Sequence, residues 1–373
     1  MEETLSLEES RAFQALCGSN RLDQVEEWIR QGKLTRIHPK CGFDPLSTCV
    51  RKGFHDLLEL LIRHIPTSQP EKDDHLLQSV RRQRFEIVKM LVEHGANPLT
   101  VPFGDVAASW DPEMFRYFIA KGTDIFDDDA LAHALASRLQ VALHFFLDYR
   151  SAHPEQAAEL QRQLDMALAL LCQYEEEEWV SILVWAGGNP YARVPDLRQR
   201  QVSQKHGWLI SAAEVTVTNH NLAILEALTL DPKDPEAHDI LHSACQWVND
   251  EAVHHLLNRG INPNDKENGG SSGLDTVFFH IDSGKINLPI YRDSASKCLA
   301  MTKDLIQHKA RWRPDDHELR AARRSMCQAP ELIPEFVKLL RKPGVCSLEV
   351  YQQLVGSPLM KKFLRSPAEI RCQ

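Results

Sequence analysis

The chain has 373 residues, 43% of them hydrophobic and 25% charged, with a net charge of −9. That composition supports a folded core and excludes collagen-like, coiled-coil and low-complexity chains. The charge is uneven: residues 309–373 hold 13 Lys or Arg against 7 Asp or Glu, so residues 1–308 carry −15.

The N-terminal stretch MEETLSLEES is acidic where a secretory leader needs a basic start and an apolar run. Met166 to Cys172 is far too short to span a bilayer, so a cytoplasmic protein with no membrane partner is expected. Nine cysteines stand singly with no CxxC pair, which fits a reducing compartment and neither a disulfide framework nor a zinc ribbon.

Taken in chain order, one phrase keeps returning. RLDQVEEWIRQGK ends at Gly32, FHDLLELLIRHIP reaches Ile65, and RFEIVKMLVEHGANP runs from Arg84 to Pro98. PEMFRYFIAKGTD then passes Gly122, EEEWVSILVWAGGNP covers Glu176 to Pro190, and NDEAVHHLLNRGINP covers Asn249 to Pro263. Each is a helix with apolar residues at helical spacing, and in the clearest copies, those with Gly95, Gly187 and Gly260, the Gly that follows supplies a left-handed C-cap. Nineteen residues before these terminal positions stand Phe13, Leu46, Leu76, Phe103, Leu168 and Leu241, each expected to open a short preceding helix. Pro45 and Pro102 suit a first helical turn, which has no use for that amide hydrogen.

The pattern resembles the ankyrin repeat, a turn, two helices and a hairpin finger. DPLS at 44–47, VPFG at 101–104, DILH at 239–242 and SGLD at 272–275 stand where the family begins its first helix, and GANP, GGNP and GINP where it leaves the second. The best match, NPNDKENGGSSGLDTV at 262–277, reads as a finger with an Asn-Gly turn. Few copies carry the family's Thr-Pro pair, and the steps between positions 32, 65, 95 and 122 shrink from 33 to 30 to 27. The resemblance implies an all-α, ankyrin-like helical solenoid of about eight to ten irregular helix pairs with short hairpin fingers. The array is expected over residues 1–310, with a basic helical cap over 311–373.

Several motifs that could carry chemistry read better as structure. His242 stands at the ankyrin pattern's own structural His, so the pair His238 and His242 is not read as a metal site. Glu175 to Glu178 spans a turn and a first helical turn, where negative charge is favoured, and Asp127 to Asp129 reads as an N-cap cluster before Ala130. GGSSG at 269–273 lacks the Lys-Ser or Lys-Thr of a phosphate loop, and no G-x-S-x-G elbow is present. No catalytic, cofactor or metal residues are assigned, and the chain is not expected to be an enzyme.

Stacked repeats expose a long surface that suits protein recognition, and the resemblance implies that the first helices line a concave face. Arg51 and Lys52 in one repeat, Arg81 and Arg82 in the next, and later Tyr174 and Trp247 follow the small residues of those helices. They form the expected partner-binding set, because exposed aromatics and arginines concentrate binding energy. The expected function is capture of a partner protein bearing an acidic patch, as scaffold, adaptor or inhibitor. Two alternatives are an immunity or anti-toxin protein occluding an enzyme's active site, and a nucleic-acid-binding accessory protein using the basic strip and tail. The acidic body opposes the last.

Overall fold

In the computed structural model, the described residues are 4–33, 35–195, 209–264, 272–281 and 293–364. Helices come in pairs, most of them joined by tight turns: α1 (Leu7–Gly18) with α2 (Leu22–Arg30), α3 (Pro45–Lys52) with α4 (His55–His64), and α5 (Gln69–Arg81) with α6 (Phe85–Glu93). Next come α7 (Phe103–Ala107) with α8 (Pro112–Ala120), α9 (Ala130–Ala136) with α10 (Gln140–Ala152), and α11 (Ala157–Gln173) with α12 (Glu177–Trp185). Then follow α13 (Ala212–Thr218) with α14 (Leu222–Ala227), α15 (Ala237–Gln246) with α16 (Asp250–Asn258), and α17 (Gly273–Phe279) with α18 (Ser294–Gln307). Two last pairs are α19 (Asp316–Met326) with α20 (Ile333–Leu340) and α21 (Leu348–Gly356) with α22 (Pro358–Leu364).

The chain divides into two compact units, Met1–Gln163 and Leu164–Gln373, with the division inside α11. Within the first unit α1, α3, α5, α7 and α9 pack in succession, and α2, α4 and α6 form a second layer. Within the second, α13, α15, α17 and α19 make one layer and α12, α14, α16, α18 and α20 the other. This is an all-α helical-repeat solenoid. The first core is rich in Phe, with Phe13, Phe103, Phe115, Phe118 and Phe146 fully enclosed, and the second centres on Trp312, Phe278 and Phe336.

The Gly-x-Asn-Pro phrase has a local cause. Gly95 adopts φ +91°, and Asn97 then accepts a hydrogen bond from the Leu99 amide (3.1 Å), an Asx turn that suits Pro98 without its N–H. Asp73 of α5 accepts from the Asn97 amide at 2.7 Å, and Asp165 of α11 accepts from Asn189 at the same distance. In these two repeats the first helix thus holds the turn that leaves its own repeat.

Phe13, Leu76, Leu168 and Leu241 are buried as expected but lie inside their helices rather than opening them. Capping boxes at Ser6 with Glu9 and Ser68 with Glu71 start α1 and α5 earlier, by satisfying orphan amides upstream. Among the described residues strand occurs only as β1 (Val194–Pro195) antiparallel to β2 (Leu209–Ile210). Where other fingers would begin, 3-10 turns stand at Pro39–Cys41, Pro98–Thr100 and Asp127–Asp129. The Asn-Gly turn at 268–269 lies outside the described residues.

Thr229 and Lys309 occupy the left-handed position that Gly holds in other repeats, at φ 48° and 67°. A β-branched residue there is strained by about 1–2 kcal/mol, partly offset because Gly frees the unfolded chain. Thr229→Gly is therefore expected to stabilise the protein by about 0.5–1 kcal/mol in urea denaturation. A loss of stability would contradict the assigned backbone.

Candidate functional site

In the first unit, α3 ends in Arg51 and Lys52 before Gly53 at φ +78°, and α5 ends in Arg81 before Arg82 and the left-handed Gln83. Cations suit this place because the last helical carbonyls carry partial negative charge. Their environments differ. Lys52 donates from Nζ to the carbonyl of Gly18, capping α1, and lies 5.7 Å over the Phe54 ring. Arg81 grips Asp105 of α7 with Nε at 2.7 Å and Nη2 at 3.2 Å, which raises its basicity. Both therefore serve contacts between neighbouring repeats.

Arg51 and Arg82 are exposed and make no ion pair or side-chain hydrogen bond among the described residues. A third cation joins them that sequence reasoning missed. The Arg84 guanidinium lies against the turn of α3, so close that a Cβ on Gly53 would meet its Cζ at 3.1 Å. Its position directly after left-handed Gln83 is the signal that could have found it.

In the second unit, Tyr174 follows α11 and is 61% exposed. Trp247, the C-cap of α15, is half-buried rather than fully exposed. On the next first helix, Phe279 ends α17 at 60% exposure, edge-on to His280 at 5.2 Å. Phe279 was hidden from sequence reasoning in the apolar run Val277 to Phe279, which reads as core.

His242 does what its place in the repeat implies: its Nε2 meets Thr276 Oγ1 of the next first helix at 2.8 Å. Asp127–Asp129 differ from expectation. Asp128 and Asp129 both have positive φ, and the side chain of the N-cap Asp129 makes no cap bond to α9 but pairs with Arg162 at 2.7 Å. A left-handed N-cap points its carboxylate away from the helix amides. Burial pushes the thiols of Cys17, Cys172 and Cys245 up to about 12, which keeps them protonated and poor nucleophiles. No helix among the described residues is long and apolar enough to cross a membrane.

No protein-family model matches the chain, and no curated protein matches it. Among solved structures it is similar to the crystal structure of the human ASB11 ankyrin repeat domain, at 16% identity. That match covers 69% of this chain and 98% of the other, with a TM-score of 0.29.

One titration bears on the turn that carries Trp247. His220 is left-handed (φ 56°), bonds the Trp247 backbone, and has a buried Nε2 with no partner among the described residues. Burial, aided by Lys297, lowers its pKa below the ordinary 6.5, and burial does the same to His255. As pH falls below about 6.5 the unfolded chain takes the proton first, so this stability is present above that pH and lost as pH falls through the folded-state value. His220→Asn keeps a residue that tolerates the left-handed turn. Its melting temperature is expected to fall less than that of the unaltered protein between about pH 7.5 and 5.5. Parallel curves would remove His220 from this role.

Proposed function

We propose that the protein binds another protein through the ends of its first helices, with Arg51, Arg82 and Arg84 receiving an acidic patch in the first unit. Tyr174, Trp247 and Phe279 supply aromatic contacts in the second. The observation that carries this reading is the cluster of exposed arginines at adjacent turns, spared from the pairing that occupies Arg81 and Lys52. It stands out in a body with an excess of acidic residues. Lys52 and Arg81, expected in the same set, act here as supports for those turns. Arginine forks suit bidentate recognition of carboxylates, and exposed charge mainly speeds encounter. Aromatic anchors slow dissociation.

The test compares proteins captured from native extract by the unaltered chain and by an Arg51→Glu/Arg82→Glu variant of matched circular dichroism. A specific partner is expected to be lost by the variant and to bind less as salt rises. An identical captured set would end the proposal for these residues. In the same assay Tyr174→Ala is expected to raise the dissociation rate about tenfold, since aromatic anchors contribute about 1–2 kcal/mol.

A further inference from the structure

The second-helix layer of the first unit contains an opening. The helices α2, α4 and α6 pack side by side, but between α8 and α10 lies a groove of about 510 Å³. Its floor is closed where Phe115 stacks on Phe145 at 5.5 Å, and the ladder continues to Tyr149 (5.3 Å) and His153 (3.9 Å beyond). Each helix already buries one apolar face in the unit: Met114, Phe115 and Phe118 on α8, and Ala142, Leu143 and Phe146 on α10. A second apolar stripe remains. Ile119 on one wall and Val141, Phe145 and Tyr149 on the other are only half-buried and line the groove. The α10 residues recur every four positions, the row one helix offers to another.

The charges on the two walls are opposite. Arg116 stands exposed on α8 and Asp148 exposed on α10, both lining the groove and both without an ion pair among the described residues. We propose that this groove is a docking site for an amphipathic helix of a partner protein, whose apolar stripe is flanked by acidic residues on one side and basic residues on the other. The acidic row would meet Arg116 and the basic row Asp148. A helix suits the shape better than a small molecule, because the polar groups sit on opposite walls rather than converging on one point. The 13 residues of α10 extend for about 20 Å, enough to seat anchors at i, i+4 and i+7. This surface is separate from the first-helix ends and does not depend on them.

The test uses three synthetic helical peptides of about 16 residues, with the same Leu and Phe stripe and different flanks: Glu on one side and Lys on the other, Lys on both, or Glu on both. Binding to the full chain is read by fluorescence anisotropy. The unaltered protein is expected to rank the mixed peptide first. Arg116→Glu makes both walls acidic, so it should rank the all-Lys peptide first and weaken the mixed one about tenfold. Ile119→Glu, with circular dichroism to confirm the fold, should weaken all three. Failure of the mixed peptide to bind, or a ranking untouched by Arg116→Glu, would overturn the proposal. Binding of a small apolar dye with no peptide bound would overturn it in favour of a small-molecule pocket. A dimer that Ile119→Glu dissociates, with no peptide bound, would overturn it in favour of a second copy of this chain.

Discussion

Trp312→Ala should cost about 3–5 kcal/mol, the loss typical of a large aromatic removed from a closed core. Trp312 is fully enclosed and stands edge-on to Phe278 at 4.9 Å. Its Nε1 donates to Asp275 Oδ1 at 2.7 Å, and its own amide donates to the Val345 carbonyl. Asp275 is itself committed, because its other oxygen accepts from the Ser272 amide and hydroxyl in the capping box that starts α17. One residue, through its indole and its own amide, therefore joins α17 to the segment before α21. Trp312→Phe preserves much of the packing but leaves a buried carboxylate oxygen without its donor, which costs about 1–3 kcal/mol. Urea denaturation followed by circular dichroism measures both. A Trp312→Ala variant within about 0.5 kcal/mol of the unaltered protein would mean the site is not core.

Gln163→Leu should destabilise the first unit by about 1–3 kcal/mol, although Leu is the more apolar residue. Gln163 is fully buried, and its Oε1 accepts from the Ala132 amide at 2.9 Å, capping α9 in place of the absent local cap. Its Nε2 donates to Glu159 (3.0 Å) and to Asp129 (3.3 Å). Leu strands the buried Ala132 amide and takes a donor from both carboxylates, which then keep Arg162 as their partner. Gln163→Glu should also be costly, since it sets a third carboxylate beside Asp129 and Glu159. A neutral Gln163→Leu would show that α9 is capped by other means.

These two residues mark the limits of what the sequence reveals. The repeat exits were legible because few residues meet their demands: Gly95 and Gly260 need positive φ, and Asn97 and Asn262 need a short side chain that reaches two amides on. The turns between paired helices were not, because Asn20, Gln83, Trp110, Arg138, Glu175, His220 and Val248 all adopt the same left-handed position. Tertiary packing overrides local preference there, so no letter recurs. Trp312 follows Lys309 in a repeat exit that has lost both Gly and Asn, which is why the signal faded beyond residue 310 while the core did not. Gln163 caps a helix 31 residues upstream, a relation with no local trace. Of the candidate site, Arg51 and Arg82 could be placed from spacing. Nothing in spacing distinguished them from Lys52 and Arg81, because pairing with Gly18 and Asp105 belongs to neighbouring repeats. The groove beside Phe145 was likewise invisible, since periodicity shows an apolar stripe but not whether a neighbour covers it.

The claim that the first-helix ends hold the partner is tested most directly by photo-crosslinking. A photoreactive residue is placed at position 82, at the end of α5, or at exposed position 63 on α4 in the second-helix layer. The adducts formed in native extract are then compared. Adducts to one partner from position 82, absent from position 63 and abolished by Arg51→Glu, are the predicted result; adducts from position 63 with none from position 82 would contradict it.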